Sequence, residues 1–405
     1  MKKIAFYLLI VIMVLGLSTE GFIGFAKAAD APTPTRPPAK APVKIGTVIP
    51  YTGPAAMTVK DMEAGMDFAL AKYNSEVSGR KVELIKEDET DDPSIAVAKA
   101  RKLVEQDKVD VVIGGLLTHT SMAMEAYMKR AGKVFISLSG ADAMQSDWAF
   151  TGAGNKAGSF PSGLWAYDEL GARKAAVLFM DYLSGHQNRD GFIAGFTYRG
   201  GKIVSNRAVP MGTADMAPYL QTLGDVDLIA WFLVPPADMT FVRQYHEFGL
   251  KIPSLSVSCV AQEEPIMRQM ADNVLGMYGA SFYSPLIDTP ENKDFVVKFK
   301  NKYGVYPGMA TIGGFGRVDL YLNAVTSTGG DTNPDKVTKA LLGMKEIDYP
   351  WGKNYINPGR ITSSNMYIYK AVKLEGNRYA WKPIKTYTDY FKLYMNYLKD
   401  TGGTK

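Results

Sequence analysis

The chain has 405 residues, 46% of them apolar and 21% charged, with a formal net charge of +5 and one cysteine, Cys259. A chain of this length buries proper cores, usually in two domains, and needs neither metal nor disulfide to hold them. The charge is too small and scattered for a nucleic-acid binder, and one cysteine excludes an internal disulfide.

The N-terminus reads as a secretory leader over residues 1–28: Lys2 and Lys3, an apolar core at 4–17, and a small-x-small cleavage site at Ala26-Lys27-Ala28. An uncleaved anchor is the alternative, but the core is short for a membrane span. No cysteine near the leader could carry a lipid, so a bacterial periplasm is the expected location. Residues 29–42, with five prolines, read as a linker.

The fold is expected to begin at Val43. Residues 44–49 read as a strand. Residues 58–74 read as a helix with Met62, Met66, Ala69 and Tyr73 on one face, and 82–86 as a second strand. Asp92-Pro93 opens a helix, with Asp92 as N-cap and Pro93 at its first position; Ala96, Ala100, Leu103 and Val104 face inward. Residues 109–113 form a short β-branched run suited to a buried parallel strand. Gly114 and Gly115 end it. Thr118, Thr120 and Ser121 then open a helix whose apolar Met122, Ala123, Ala126 and Tyr127 share one face. In open α/β sheets, ligands bind beyond such strand ends, where free N–H groups favour an anion. The other reading is that Thr118 or Thr120 is a plain helix cap. Residues 133–137 read as the next strand, and 148–154 as a crossover between domains.

A second alternating series follows. Strands are expected at 175–180, 203–209, 226–233 and 255–258, with helices at 157–170, 186–198, 214–223, 237–248 and 262–273. Residues 277–283 read as a second crossover strand. Helices are expected at 292–303, 313–326 and 333–342, a hairpin at 365–374 and 378–386, and a terminal helix at 387–399. Strict alternation of strand and helix implies parallel sheets covered on both faces.

Catalytic signals are few. Gly152-Ala-Gly154-Asn-Lys-Ala157 matches a dinucleotide fingerprint, with Asp181 near the place of a ribose-binding acid. The run before it is a poor buried strand, and nicotinamide cofactors are mainly cytoplasmic. His119, His186 and His246 lack metal-ligand spacing, although His119 and His186 follow strand ends and ligand contact by either stays open. No Gly-x-Ser-x-Gly elbow is present. What remains is a set of small polar loops at strand ends: 51–59, 118–121, 139–142, 181–185, 234–237 and 258–264. Two sheets facing each other would bring these loops into one cleft fit for a small ligand.

Six segments stand in a familiar order: Lys-Ile-Gly-Thr-Val-Ile-Pro-Tyr-Thr-Gly-Pro at 44–54, Asp-Met-Glu-Ala-Gly at 61–65, Asp-Asp-Pro-Ser-Ile-Ala at 91–96, Val-Val-Ile-Gly-Gly at 111–115, Asp-Tyr-Leu-Ser-Gly-His at 181–186 and Glu-Phe-Gly-Leu-Lys-Ile-Pro at 247–253. Together they resemble the leucine/isoleucine/valine-binding family of periplasmic solute-binding proteins. The resemblance implies an α/β type I fold. Two doubly wound parallel-sheet lobes, 43–150 with 284–348 and 151–283 with 349–405, would be joined by three crossovers and close on a ligand. It further implies a monomer without cofactor or catalytic activity that delivers its ligand to an inner-membrane ABC permease. A sensor domain reporting to a receptor shares the fold and stays open, as does an exported dinucleotide enzyme.

By this resemblance Thr118 is similar to the hydroxyl residue that holds a ligand carboxylate, with His119 and Thr120 beside it. Ser139 stands where a main-chain carbonyl meets the ligand, next to Gly140. Tyr51 belongs to the first strand-end loop. Ala141 replaces a threonine usual in amino-acid binders, Ser184 replaces an aromatic, and Val234-Pro235-Pro236 replaces a tyrosine-bearing loop. Ser258 falls near the acid that pairs with a ligand ammonium. These departures point to an aromatic or aliphatic carboxylate, or an amide. A branched-chain amino acid stays open, with Glu263, Glu264 or Asp181 as the source of negative charge.

Overall fold

The computed structural model describes residues 40–52, 56–142, 144–152, 154–257, 260–357 and 359–403. The expected leader and Ser258 lie outside the described residues, as does nearly all of the expected linker.

The first series runs β1 (Val43–Ile49), α1 (Ala56–Lys72), β2 (Glu76–Val77), β3 (Arg80–Asp88), α2 (Pro93–Glu105), β4 (Val111–Gly114), α3 (Thr118–Ala131), β5 (Val134–Ser137) and β6 (Ala149–Phe150). The strands lie in the order β2-β3-β1-β4-β5-β6. All neighbours are parallel except β2 and β3, a hairpin the sequence pattern did not reveal. Every residue of β4 is buried, as a central strand covered on both faces requires. Asp92 caps α2 as expected, its carboxylate accepting from the N–H groups of Ser94 at 2.7 Å and Ile95 at 3.0 Å.

The second series runs α4 (Asn155–Asp168), β7 (Lys174–Met180), α5 (Leu183–Tyr198), β8 (Lys202–Val209), α6 (Ala217–Leu220), β9 (Leu228–Phe232), α7 (Ala237–Glu247), β10 (Ser254–Ser256), α8 (Glu264–Met270) and β11 (Tyr278–Ser281). Helices α9 (Pro290–Tyr303), α10 (Met309–Ser327) and α11 (Pro334–Gly343) follow. Phe68 of α1 meets Phe295 and Phe299 of α9 edge-on, which returns this trio to the first sheet. Helix α10 crosses α1 closely: a Cβ on Gly65 or Gly314 would strike the backbone of the facing helix.

Strands β12 (Ile347–Tyr349), β13 (Gly352–Ile356) and β14 (Thr362–Ser363) form a small antiparallel sheet. Strands β15 (Met366–Leu374) and β16 (Arg378–Tyr387) make the expected hairpin, and α12 (Tyr390–Asp400) packs on α4 through Phe160 and Tyr397. The second sheet is ordered β16-β15-β11-β10-β9-β7-β8, parallel from β11 to β8 and antiparallel at the hairpin edge. Thr151 and Ile361 pair in parallel between the two sheets, with Thr151 donating to the Arg360 carbonyl at 3.0 Å and Thr362 donating to Thr151 at 2.9 Å.

Three expectations need correction. Helix α3 buries Ser121, Met124, Glu125, Tyr127 and Met128, while Met122 is 50% exposed and Ala126 faces outward. The buried face includes an acid, because Glu125 accepts the N–H of Gln145 and, at 2.7 Å, that of Ser146; a hydrophobic count alone misplaces it. The helix expected at 262–273 is broken into α8 flanked by single 3-10 turns, where Ala271 takes a φ of 51°. The helix expected at 214–223 shrinks to α6.

Candidate ligand-binding site

The strand-end loops of both sheets converge on a cavity of about 520 Å³. Its walls are mainly apolar and aromatic: Met62, Leu116, Leu138, Phe232, Val234, Pro235, Val257, Ile266, Phe282, Ile312, Trp351 and Ile356 among them. Polar groups are interspersed, Asp91, Asn155 and Thr362 among them. Thr118 and His119 open α3, Ser139 and Gly140 follow β5, Ser184 and Asn188 lie on α5, Arg317 on α10 reaches the end of β5, and Glu263 precedes α8.

The α3 end is built by a glycine turn. Gly115 has a φ of +67°, and a Cβ there would also meet Ser121. The N-cap is Leu117, with no side-chain cap bond, so neither Thr118 nor Thr120 caps the helix. Thr118 lines the cavity instead. Thr120 does not: it is turned beneath the turn, donating to the Leu117 carbonyl at 2.9 Å and to Glu89 at 3.3 Å. Glu89 also accepts the Leu116 N–H at 3.3 Å. Burial lifts the Glu89 carboxyl to about 8, against these two bonds, and Asp91 and Asp88 push it the same way.

Behind Ser139 runs a relay of hydroxyls: Ser121 to Ser137 at 2.7 Å, and Ser137 to Ser139 at 2.9 Å. The Ser139 carbonyl accepts from the Gly152 N–H at 3.1 Å and the Thr151 hydroxyl at 3.0 Å. Both lone pairs are thus occupied by the crossover, and the expected carbonyl contact with ligand is not available. Ala141 is 2% exposed and turned into the core, outside the cavity lining. Tyr51 also lies outside the lining; its hydroxyl donates to Glu63 at 3.0 Å and its N–H to Asp88 at 3.0 Å. Ser184 accepts from Asn188, which in turn accepts from Ser159 at 2.5 Å. Val234 and Pro235 form an apolar rim, with a cis Pro235–Pro236 bond.

His186 is held elsewhere, between Asp181 at 2.8 Å and Arg189 at 3.2 Å, so of the two strand-end histidines only His119 lines the cavity. Glu264 pairs with Arg378 at 2.9 Å and Arg268 at 3.0 Å, away from the cavity. Of the three acids considered, Glu263 alone reaches it. It accepts the Ala310 N–H at the start of α10 at 2.8 Å, and burial lifts it to about 7. It also borders a second cavity of about 560 Å³ that includes Asp61, Tyr306 and Arg378.

Arg317 is the functional candidate that the sequence pattern missed. It projects from the middle of α10, among buried Ile312, Phe315, Val318 and Leu320. Its Nε donates to the Ser137 carbonyl at 3.3 Å, and among the described residues no carboxylate lies within ion-pair distance. Burial pulls its pKa below the ordinary arginine value. A lone arginine in so apolar a helix was the signal available. Trp351, Asn354, Tyr355 and Ile356 were also missed, because the small β12–β14 sheet carries no clear strand pattern.

The glycine fingerprint has a different use. Its strand, β6, belongs to the first sheet, whereas its helix, α4, packs on α5 of the second. The motif is therefore a crossover rather than the turn of one strand–helix–strand unit.

A family model described as "Periplasmic binding protein" matches residues 42–377. The Leu/Ile/Val-binding protein homolog 6 of Brucella suis biovar 1 (strain 1330) is 26% identical over 358 residues, covering 85% of this chain and 91% of that protein. An ABC transporter substrate-binding protein from Sphaerobacter thermophilus superposes with a TM-score of 0.82 at 27% identity, covering 86% of this chain and 98% of that one. A solute binding protein of an ABC transporter from Rhodopseudomonas palustris BisB5, in complex with 3,4-dihydroxy benzoic acid, gives 0.79 at 28% identity, covering 86% and 97%. With its two doubly wound sheets, linking crossovers and cleft between them, the chain belongs to the periplasmic binding protein family, in the leucine/isoleucine/valine-binding group of solute-binding proteins.

Proposed function

We propose that this chain is the solute-capturing component of an ABC importer and that its ligand is a small aromatic carboxylate. The observation that carries the reading is Arg317, a guanidinium lining an aromatic cavity with no carboxylate partner among the described residues. An unpaired charge out of water costs several kcal/mol, by roughly the amount that an anionic ligand restores. The ring packs against Phe232, Phe282 and Trp351, the carboxylate meets Arg317 and the Thr118 hydroxyl, and Ser184, His119 or Asn354 take ring substituents. The Rhodopseudomonas palustris relative, solved with a dihydroxybenzoic acid, supports this ligand class. The ligand closes the cleft between two lobes, residues 43–150 with 284–348 and residues 151–283 with 349–405. The chain reaches the periplasm through a leader cut after Ala28 and hands its ligand to an inner-membrane permease.

One observation favours a branched-chain amino acid: Glu263 lines the cavity and could face an ammonium. Its carboxylate already accepts an N–H from α10, and burial raises its pKa, which weakens that role. A thermal-shift screen decides between the readings. Benzoate and 4-hydroxybenzoate should each stabilise the protein by about 2–3 kcal/mol at a hundredfold excess over Kd. Stabilisation by leucine, isoleucine or valine, with none from benzoate or 4-methylpentanoate, overturns the proposal. Affinity capture that recovers a receptor instead of a permease would assign a sensor.

A further inference from the structure

The Glu89 carboxyl is wholly buried, 0% exposed, directly behind the turn that opens α3. One oxygen accepts the Leu116 N–H and the Thr120 hydroxyl, both at 3.3 Å; the other has no hydrogen-bond partner. Among the described residues no lysine or arginine pairs with it, and the charges acting on it belong to Asp91 and Asp88. From α3, the facing titratable group is His119, whose Nε2 lies 3.4 Å from the Asp91 carbonyl. From the end of β1, Tyr51 faces Asp88 and not Glu89. Leu116, which donates to Glu89, also lines the ligand cavity, with Leu117, Thr118 and His119 next in the chain.

We propose that Glu89 is a positioning residue that holds this turn as a neutral acid, so that the anionic ligand and the Glu89 proton are bound together. The proposal rests on the reading that the ligand is an anion. The geometry supplies the reason. An ionised Glu89 would place a second negative charge behind the N–H groups and hydroxyl that receive the ligand, with no lysine or arginine paired to it among the described residues. A neutral Glu89 keeps both bonds that shape the turn and adds no repulsion. Burial already holds the acid protonated up to about pH 8. A bound anion raises that limit further, because it disfavours the charged form. By linkage, affinity for the anion is full below pH 8 and falls as pH rises beyond it.

The test uses benzoate as probe and the full mature chain. For one proton with a free-state value near 8, the benzoate Kd of the natural protein should rise about tenfold between pH 7 and pH 9. Glu89→Gln, which keeps the accepting oxygen and cannot ionise, should bind as tightly at pH 7 and lose the rise. Glu89→Met, which removes both bonds, should bind several-fold more weakly than Glu89→Gln at every pH. A tenfold rise retained in Glu89→Gln overturns the proposal, as does a natural protein whose Kd is flat to pH 9. If benzoate and its hydroxy derivatives fail to bind at all, the ligand reading fails separately, and ligand-free melts judge Glu89. The melting temperature of the natural protein should then fall relative to Glu89→Gln between pH 6 and pH 9. Parallel melting curves would show that Glu89 is already ionised and overturn the proposal.

Discussion

The two polar walls of the cleft differ in kind. The start of α3 presents hydroxyls and N–H groups, backed by an acid that burial keeps neutral. Helix α10 presents charge: Arg317, with no carboxylate partner among the described residues, and Glu263 seated on an N–H at the start of the helix. Each acid occupies a helix start, yet Glu89 comes from the same sheet as the helix it serves. Glu263 comes from the second series and reaches a helix packed on the first sheet. One acid shapes a wall; the other joins two halves.

The sharpest way to break this comparison is to remove its cation. Arg317→Met should cost about 2–5 kcal/mol of benzoate affinity by calorimetry, with no loss of melting temperature, since the charge it removes is unpaired in the ligand-free protein. An affinity within threefold of the natural protein would move the charge recognition elsewhere. Thr118→Val tests the other wall. Loss of one hydrogen bond to a charged group should cost about 1.5–3 kcal/mol of affinity, with an unchanged melt because Thr118 makes no cap bond. A loss larger than that of Arg317→Met would reverse the comparison.

Glu263→Gln sharpens the contrast between the acids. The folded-state value of about 7 stands above the ordinary 4.5, so Glu263 contributes stability at low pH that is lost as pH rises through 7. The variant should remove a decline on the order of 1–3 kcal/mol between pH 5 and 7.5 in urea titrations. The decline due to Glu89, which extends up to about pH 8, should remain. The smallest effect is a control outside both walls: Asp92→Ala removes the α2 cap and should cost about 1 kcal/mol of stability and no affinity.

Much of the architecture was legible because local chemistry and tertiary role agree there. The run Val111-Val-Ile-Gly is buried on both faces, Asp92-Pro93 starts a helix in any context, and the Glu375-Gly376-Asn377 turn joins β15 to β16. The site was less legible. Thr118, His119, Ser139, Gly140, Ser184, Val234 and Pro235 reach the cavity because strand ends point there by topology. Thr120 misled because adjacent helix positions point about 100° apart, so a hydroxyl two residues on serves Glu89 instead. Ala141 and Tyr51 misled because a loop's fold decides which of its residues face inward. Arg317 comes from a helix 180 residues beyond the Ser137 carbonyl it meets, and no local pattern reports such a contact.

The pairing of Thr151 with Ile361 constrains more than the path of the chain. Two linking segments that share backbone hydrogen bonds of 3.0 Å and 2.9 Å behave as one ribbon. Arg360 tightens it further by gripping the Asp147 carboxylate at 3.0 Å. A ribbon bends easily across its flat face and resists torsion, since twisting pulls the paired strands out of register. Breaking that pairing, for example with Thr151→Pro, should loosen the linkage without touching the cavity lining.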